Sequence, residues 1–108
     1  MDDTQDGEWL PQPDAAEIEL VKVLHALADP VRLHLLTLYA TGEQISCAPE
    51  DLGVALHKST VSHHMRIMRE AGVTSTRVVG RKRYVQLRRA DLDARFPGLL
   101  DAVVGAAR

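Results

Sequence analysis

Apolar residues recur three and four positions apart through the first two thirds of the chain, and alternate with polar ones after Gly72. Asp14 is placed to cap a first helix, with Glu17 at the capping-box spacing. Leu20, Val21, Leu24, Leu27 and Ala28 then define one buried stripe. Asp29 caps a second helix and Pro30 takes its first position, where a missing N–H costs nothing. Val31, Leu35, Leu38 and Tyr39 supply the second stripe, and Gly42 stops it. A short third helix is expected with Pro49 in its first turn and Leu52, Val54, Ala55 and Leu56 on its apolar side. His57-Lys58 reads as a turn, Ser59 as the cap of a fourth helix from Thr60 to about Ala71, and Gly72 as its end.

Residues 73–79 and 82–87 are rich in β-branched and aromatic side chains and are joined by Gly80-Arg81, the pattern of a two-residue hairpin. One helical turn is expected over residues 91–95. Pro97 is expected to open a last helix whose Leu99, Leu100, Val103 and Val104 form a narrow apolar seam. Residues 1–13 carry four acids, two prolines and no basic residue, and only Trp9 and Leu10 could pack there, so they read as a flexible acidic tail. The folded domain is then 14–108. Helices, a turn, a polar-faced helix, a hairpin and a closing helix make a mainly α fold with a small β-hairpin: a winged helix-turn-helix.

Composition narrows the function. A chain of 108 residues, 45% hydrophobic and 26% charged, is one soluble domain. No apolar run approaches the ~20 residues of a membrane span, and the first residues lack the basic and apolar parts of a secretory signal. No membrane partner and a cytoplasmic location are expected. The single Cys47 excludes a disulfide framework or a cysteine-rich zinc site. The net charge of −2 conceals a segregation: residues 58–89 hold nine basic side chains and one acid, while the remainder holds four basic and fourteen acidic ones. A local field of that sign points to a polyanion.

On a helical wheel Val61, Met65 and Met68 fall within about 60°, flanked by His64 and Ile67. Ser59, Ser62, His63, Arg66 and Glu70 project from the other side. Short polar side chains near the N-terminus of such a helix suit base edges in a major groove. Arg81, Lys82 and Arg83 at the hairpin suit phosphates or the minor groove. With Lys58 and Thr60, these make the candidate contacts with double-stranded DNA. Arg77 and Arg88 are placed to extend the strip, Arg69 to solvate the outside of its helix, and His64 to pack or support. A winged-helix module for protein contacts would instead need an apolar recognition face. No Ser/His/Asp set or glycine-rich phosphate loop supports an enzyme.

Ala26-Leu27-Ala28-Asp29-Pro30-Val31-Arg32-Leu33 resembles the helix-one to helix-two signature of ArsR/SmtB-type bacterial regulators. Lys58-Ser59-Thr60-Val61-Ser62-His63-His64-Met65-Arg66, the following Arg69-Glu70-Ala71-Gly72-Val73, and Gly80-Arg81 with Tyr84 resemble their recognition helix and wing. The resemblance spans about residues 18–105. It implies a homodimer on the first and last helices, here through Leu20, Leu24, Leu99, Leu100, Val103 and Val104. It also implies an inverted-repeat operator and repression released by a metal or another signal. The metal motifs of the family are not matched: Cys47 is one thiol where a pair is usual, and the closing helix has no histidine. Cys47 reads as a small packing residue. His25 and His34 read first as interior or interface imidazoles. With the acids Asp2, Asp3, Asp6, Glu8, Asp14 and Glu17, they are the remaining donors for a nickel- or zinc-type divalent metal.

Overall fold

The computed structural model describes residues 7–42, 44–48, 52–53 and 55–108. In chain order β1 (Glu8–Trp9) precedes a 3₁₀ turn (Ala15–Glu17), α1 (Leu20–Leu27), α2 (Pro30–Tyr39) and β2 (Ile45–Ser46). Then come α3 (Lys58–Glu70), β3 (Thr74–Val79), β4 (Lys82–Leu87), α4 (Arg89–Arg95) and α5 (Leu99–Ala107). The short helix expected over residues 49–56 lies in part outside the described residues, so α3 is the helix expected fourth. No helix among the described residues is long and apolar enough to cross a membrane.

The Asp14–Glu17 cap forms: Glu17 Oε1 accepts from Asp14 N at 3.0 Å, and Asp14 O from Glu17 N at 2.8 Å. It closes only the 3₁₀ turn. Ile18 and Glu19 are extended, because Ile18 drops into the core at 1% exposure. The end of α3 receives it. Gly72 takes φ of 86°, and a Cβ there would lie 2.6 Å from Ile18 Cγ1, so both the left-handed backbone and the close approach require glycine.

The buried face of α1 is Val23, Ala26 and Leu27, not the whole expected stripe, and Leu20, Val21 and Leu24 stay in solvent at 42, 76 and 45% exposure. In α2 the buried set is Arg32, Leu35, Leu36 and Tyr39. On α3, Val61, Met65 and Met68 enter the core as the wheel requires, joined by His64. Its cap is His57 rather than Ser59: the His57 carbonyl accepts from Thr60 N and Val61 N, each at 3.0 Å.

The hairpin is the centre of a four-stranded antiparallel sheet, in the order β1-β3-β4-β2. Val79 pairs with Lys82 across Gly80-Arg81. Gly80 has φ of 60° and Arg81 no positive φ, the pattern of a type II′ turn. Glu8 and Trp9, expected within the tail, instead pair with Val78 and Arg77. Ile45 and Ser46 pair with Val85 and Tyr84 on the other side. These two-residue strands lack enough length for alternation to signal them.

Gly98, not Pro97, caps α5. Leu100 and Val104, expected at a subunit interface, are buried within the chain, where α5 packs on α2 and α4. The monomer therefore closes its core with that side of the helix. Leu99 and Val103 are half-buried against the same core.

One polar cluster ties the α1–α2 corner to α3. Asp29 Oδ2 accepts from Val31 N at 2.9 Å and Arg32 N at 3.1 Å, capping α2. The Arg32 guanidinium, buried, donates through Nε to Ala26 O at 2.5 Å and through Nη1 to His64 Nδ1 at 3.1 Å. A guanidinium only donates, so Nδ1 must carry the lone pair and His64 is neutral with its proton on Nε2. Burial pushes the His64 imidazole below the usual histidine value; Asp29, 4.0 Å away, opposes that shift, and Arg32 and His63 reinforce it. The Arg32 N–H bond holds the Asp29 carboxyl below its usual range; burial opposes, and the charges of Arg32 and His64 and the Val31 N–H assist.

Both groups are depressed, so the unfolded chain binds protons more readily and acid weakens the fold. His64 contributes as pH falls below about 6.5, and Asp29 only once pH reaches the carboxylate range. Calorimetric midpoints should therefore fall between pH 7 and 5. His64→Gln, which keeps an acceptor but does not titrate, should flatten that fall, and an unchanged slope would exclude His64 as its source. Asp29→Ala should cost about 1 kcal/mol through the lost cap, measured by denaturant unfolding at neutral pH.

Candidate nucleic-acid interface

A helix that buries Val61, His64, Met65 and Met68 must turn its remaining positions outward. Lys58, Ser59, Thr60, Ser62, His63 and Arg66 are all exposed. Tyr39 fixes the inner side from below, donating its hydroxyl to Met65 Sδ at 3.1 Å. Arg32 fixes it at His64, one residue from His63. The His63 and His64 rings, with centroids 5.8 Å apart, are tilted by 56°, so one faces solvent while the other faces the corner.

Beside this face, a crevice of about 270 Å³ is lined by Ser59, Ser62, His63, Arg66, Arg69 and Arg83. It joins the outer face of α3 to β4. Arg83 is thereby brought to the helix, whereas Arg81 and Lys82 stand apart at the exposed hairpin tip. Lys58 and Thr60 are exposed at the start of α3 but do not line the crevice.

Arg69 is not a solvating side chain of the outer face. It is partly buried, and its Nε is shielded from solvent without a hydrogen-bond partner among the described residues. Burial holds the guanidinium below the usual arginine value; Glu70 opposes, Arg83 and Arg66 add to the depression, and Cys47 opposes weakly. Helical periodicity puts Arg69 near the boundary of the polar face and could not reveal that Arg83 would share a crevice with it. Arg88 does not extend the basic strip, because it donates to Asp91 Oδ2 at 3.1 Å and Pro13 O at 2.7 Å. Arg77 donates to Gln44 Oε1 at 2.9 Å.

Cys47 lies near this basic group. Burial pushes its thiol up to about 11, against the opposing charges of Arg83 and Arg69, so the neutral thiol dominates at physiological pH. His34 sits with Nε2 3.2 Å from Leu52 O. His25 is exposed at the end of α1. Among the described residues, no three His, Cys, Asp or Glu side chains come together as a metal site. Of the donors expected for nickel or zinc, Asp2, Asp3 and Asp6 lie outside the described residues.

No protein-family profile matches the chain. It is 36% identical over 83 residues to the HTH-type transcriptional regulator YceK of Bacillus subtilis (strain 168), covering 76% of this chain and 83% of that one. The arsenical resistance operon repressor of Staphylococcus xylosus is 36% identical over 77 residues, 69% of this chain and 71% of the repressor. The SmtB homolog of Synechocystis sp. (strain ATCC 27184 / PCC 6803 / Kazusa), a transcriptional repressor, is 35% identical over 82 residues, 70% and 60% of the two chains. A crystal structure of a possible transcriptional regulator for arsenical resistance superposes with a TM-score of 0.56 at 28% identity, covering 83% of this chain and 99% of the other. The outward polar face of α3, the basic wing beside it and these relatives agree: the chain belongs to the ArsR/SmtB family of winged helix-turn-helix, DNA-binding transcriptional regulators.

Proposed function

We propose that this protein is a homodimeric repressor that binds an inverted-repeat operator, with α3 in the major groove and the β3–β4 hairpin on the backbone or minor groove. One observation carries the reading: Ser59, Ser62, His63 and Arg66 line the same crevice as Arg83, and among the described residues no carboxylate lines it. A hydrogen-bonding helix face and a cationic strand thus present one surface to one polyanion. Repression is what two of the named relatives are described as doing.

The dimer reading draws on Leu20, Val21 and Leu24, a row of exposed apolar side chains on α1. A soluble monomer gains nothing from that row, and a two-fold axis through it would cover it twice. Leu99 and Val103 of α5 can contribute their exposed edges. Leu100 and Val104 support the interface from inside the monomer.

Recognition helix and wing should separate in a DNA-binding titration by fluorescence anisotropy. Ser62→Ala or His63→Ala should cost ~1–3 kcal/mol on the operator and much less on random duplex, as base-edge contacts do. Arg81→Ala or Lys82→Ala should weaken both duplexes alike and reduce the salt slope by about one per lost contact. Equal effects of all four on both duplexes would remove the groove assignment. Leu24→Asp, an exposed site, should give a folded monomer in analytical ultracentrifugation that has lost operator affinity. A monomeric variant with undiminished affinity would remove the dimer.

A further inference from the structure

We propose that Arg32 and His64 are positioning residues for base readout, and that a proton on His64 Nδ1 releases α3 from the pose in which Ser62 and His63 meet the groove. The consequence for DNA rests on the reading above; the proton-driven rearrangement itself does not.

The inner face of α3 is held largely by Val61, Met65 and Met68. Apolar contacts have no preferred direction, and methionine adapts to a shifted neighbour. The Tyr39 hydroxyl on Met65 Sδ is a bond to a weak acceptor. The bond from Arg32 Nη1 to His64 Nδ1, at 3.1 Å, is charge-assisted and directional. It fixes where α3 sits on the α1–α2 corner.

His64 stands between two partners that require opposite protonation states. The neutral ring accepts from Arg32. A protonated Nδ1 can only donate, and Asp29 Oδ2 lies 4.0 Å from it. A hydrogen bond there needs about 2.9 Å, so the ring must travel on the order of 1 Å, away from a guanidinium that now repels it. Asp29 Oδ2 already accepts from Val31 N and Arg32 N, so the move also loosens the start of α2. The ring is buried, and a close-packed interior passes its displacement to the backbone of α3.

Burial acts most strongly against the proton; Asp29 opposes that effect, and Arg32 and His63 add to it. From α1 and β3, which also pack on α3, no charged group acts on the ring among the described residues. Burial pushes the Tyr39 phenol up, so it stays neutral throughout. The rearrangement therefore occurs below the usual histidine value of about 6.5. Base-edge contacts fail with a shift of this size, because donor and acceptor must meet within a few tenths of an ångström. Long side chains such as Arg81 and Lys82 can follow a phosphate through it. Acid should thus cost discrimination and spare general affinity.

The test has two arms on the full-length protein at 25 °C. Without DNA, histidine side-chain ¹⁵N and backbone amide resonances are followed from pH 8 to 5. His64 should be the Nε2–H tautomer at pH 8 and titrate below about 6.5, with the Ser62 and His63 amides shifting in step. In the second arm, a duplex selected by the protein from a random library at pH 7.5 is compared with an unselected duplex, by fluorescence anisotropy at pH 7.5 and 5.5. The ratio of the two affinities should fall roughly three- to tenfold in wild type, since linkage caps the loss near tenfold per pH unit and proton. His64→Asn, whose Oδ1 takes the place of Nδ1 and does not titrate, should hold the ratio level. His63→Gln should keep the fall. A wild-type ratio that ignores pH, an equal fall in His64→Asn, α3 amides that do not follow His64, or loss of the folded spectrum at pH 5.5 would each overturn the proposal. Should His64→Asn fail to fold, the wild-type resonances and His63→Gln still decide. If no duplex is selected, the DNA reading fails, while coupled titration of His64 and the α3 amides still supports the rearrangement.

Discussion

The buried guanidinium of Arg32 holds the architecture at its tightest point. It satisfies the carbonyl of Ala26 at the end of α1 and the imidazole of His64 on α3 from its own position on α2. Three helices therefore share one ion, and the Asp29 cap beside it supplies the compensating charge. Removing a buried charge leaves its partners unpaired, so such a cluster resists piecemeal change. Its geometry also explains the adjacent histidines. His64 is held inward by a bond that only a neutral ring can accept, and this holds His63 outward on the next position of the helix.

Most of the arginines, with two of the lysines, fall into two groups. Arg32, Arg88, Arg89 and Arg95 bind carbonyls or carboxylates of the chain itself, with Arg89 reaching Asp101 at 3.2 Å and Asp93 at 3.6 Å. Lys58, Arg66, Arg69, Arg81, Lys82 and Arg83 are gathered around α3 and the hairpin. The surplus charge counted along residues 58–89 is therefore concentrated further in space, because the two arginines at its C-terminal end are consumed by structure. A modest total surplus becomes a strong local one.

Much of this was legible in order and period. The α3 wheel, the Asp29-Pro30 start of α2, the Gly72 stop and the Gly80-Arg81 loop are local signals, and each appears where local chemistry places it. Failures arose where distant segments meet. Leu20 and Leu24 share the period of Leu27, but Ile18 and Gly72 set the rotation of the chain entering α1, and Val23 and Ala26 take the core. Leu100 and Val104 turn inward, which periodicity does not foretell, because it shows that a helix has an apolar seam without showing what covers it. Arg69 escapes the helical pattern for the same reason: Arg83, fourteen residues on, lines the same crevice. Glu8 and Trp9 gave no strand signal, since the pairing they make belongs to β3.

Each outer strand of the sheet is only two residues long. β1 covers β3 at Arg77 and Val78, with Leu10 N adding a bond to Thr76 O at 2.9 Å, and β2 covers β4 at Tyr84 and Val85, with Cys47 N adding one to Arg83 O at 2.9 Å. A hairpin of two six-residue strands with bare backbone on both sides would be a template for another chain's strand. Here the middle of each edge is already occupied, and the segments left over are too short to align a stable ladder. The positions beyond that cover carry Arg81 and Lys82, whose mutual repulsion discourages two tips from pairing. The pairing of Glu8 and Trp9 thus leaves little of the β3 edge open to a strand from another chain.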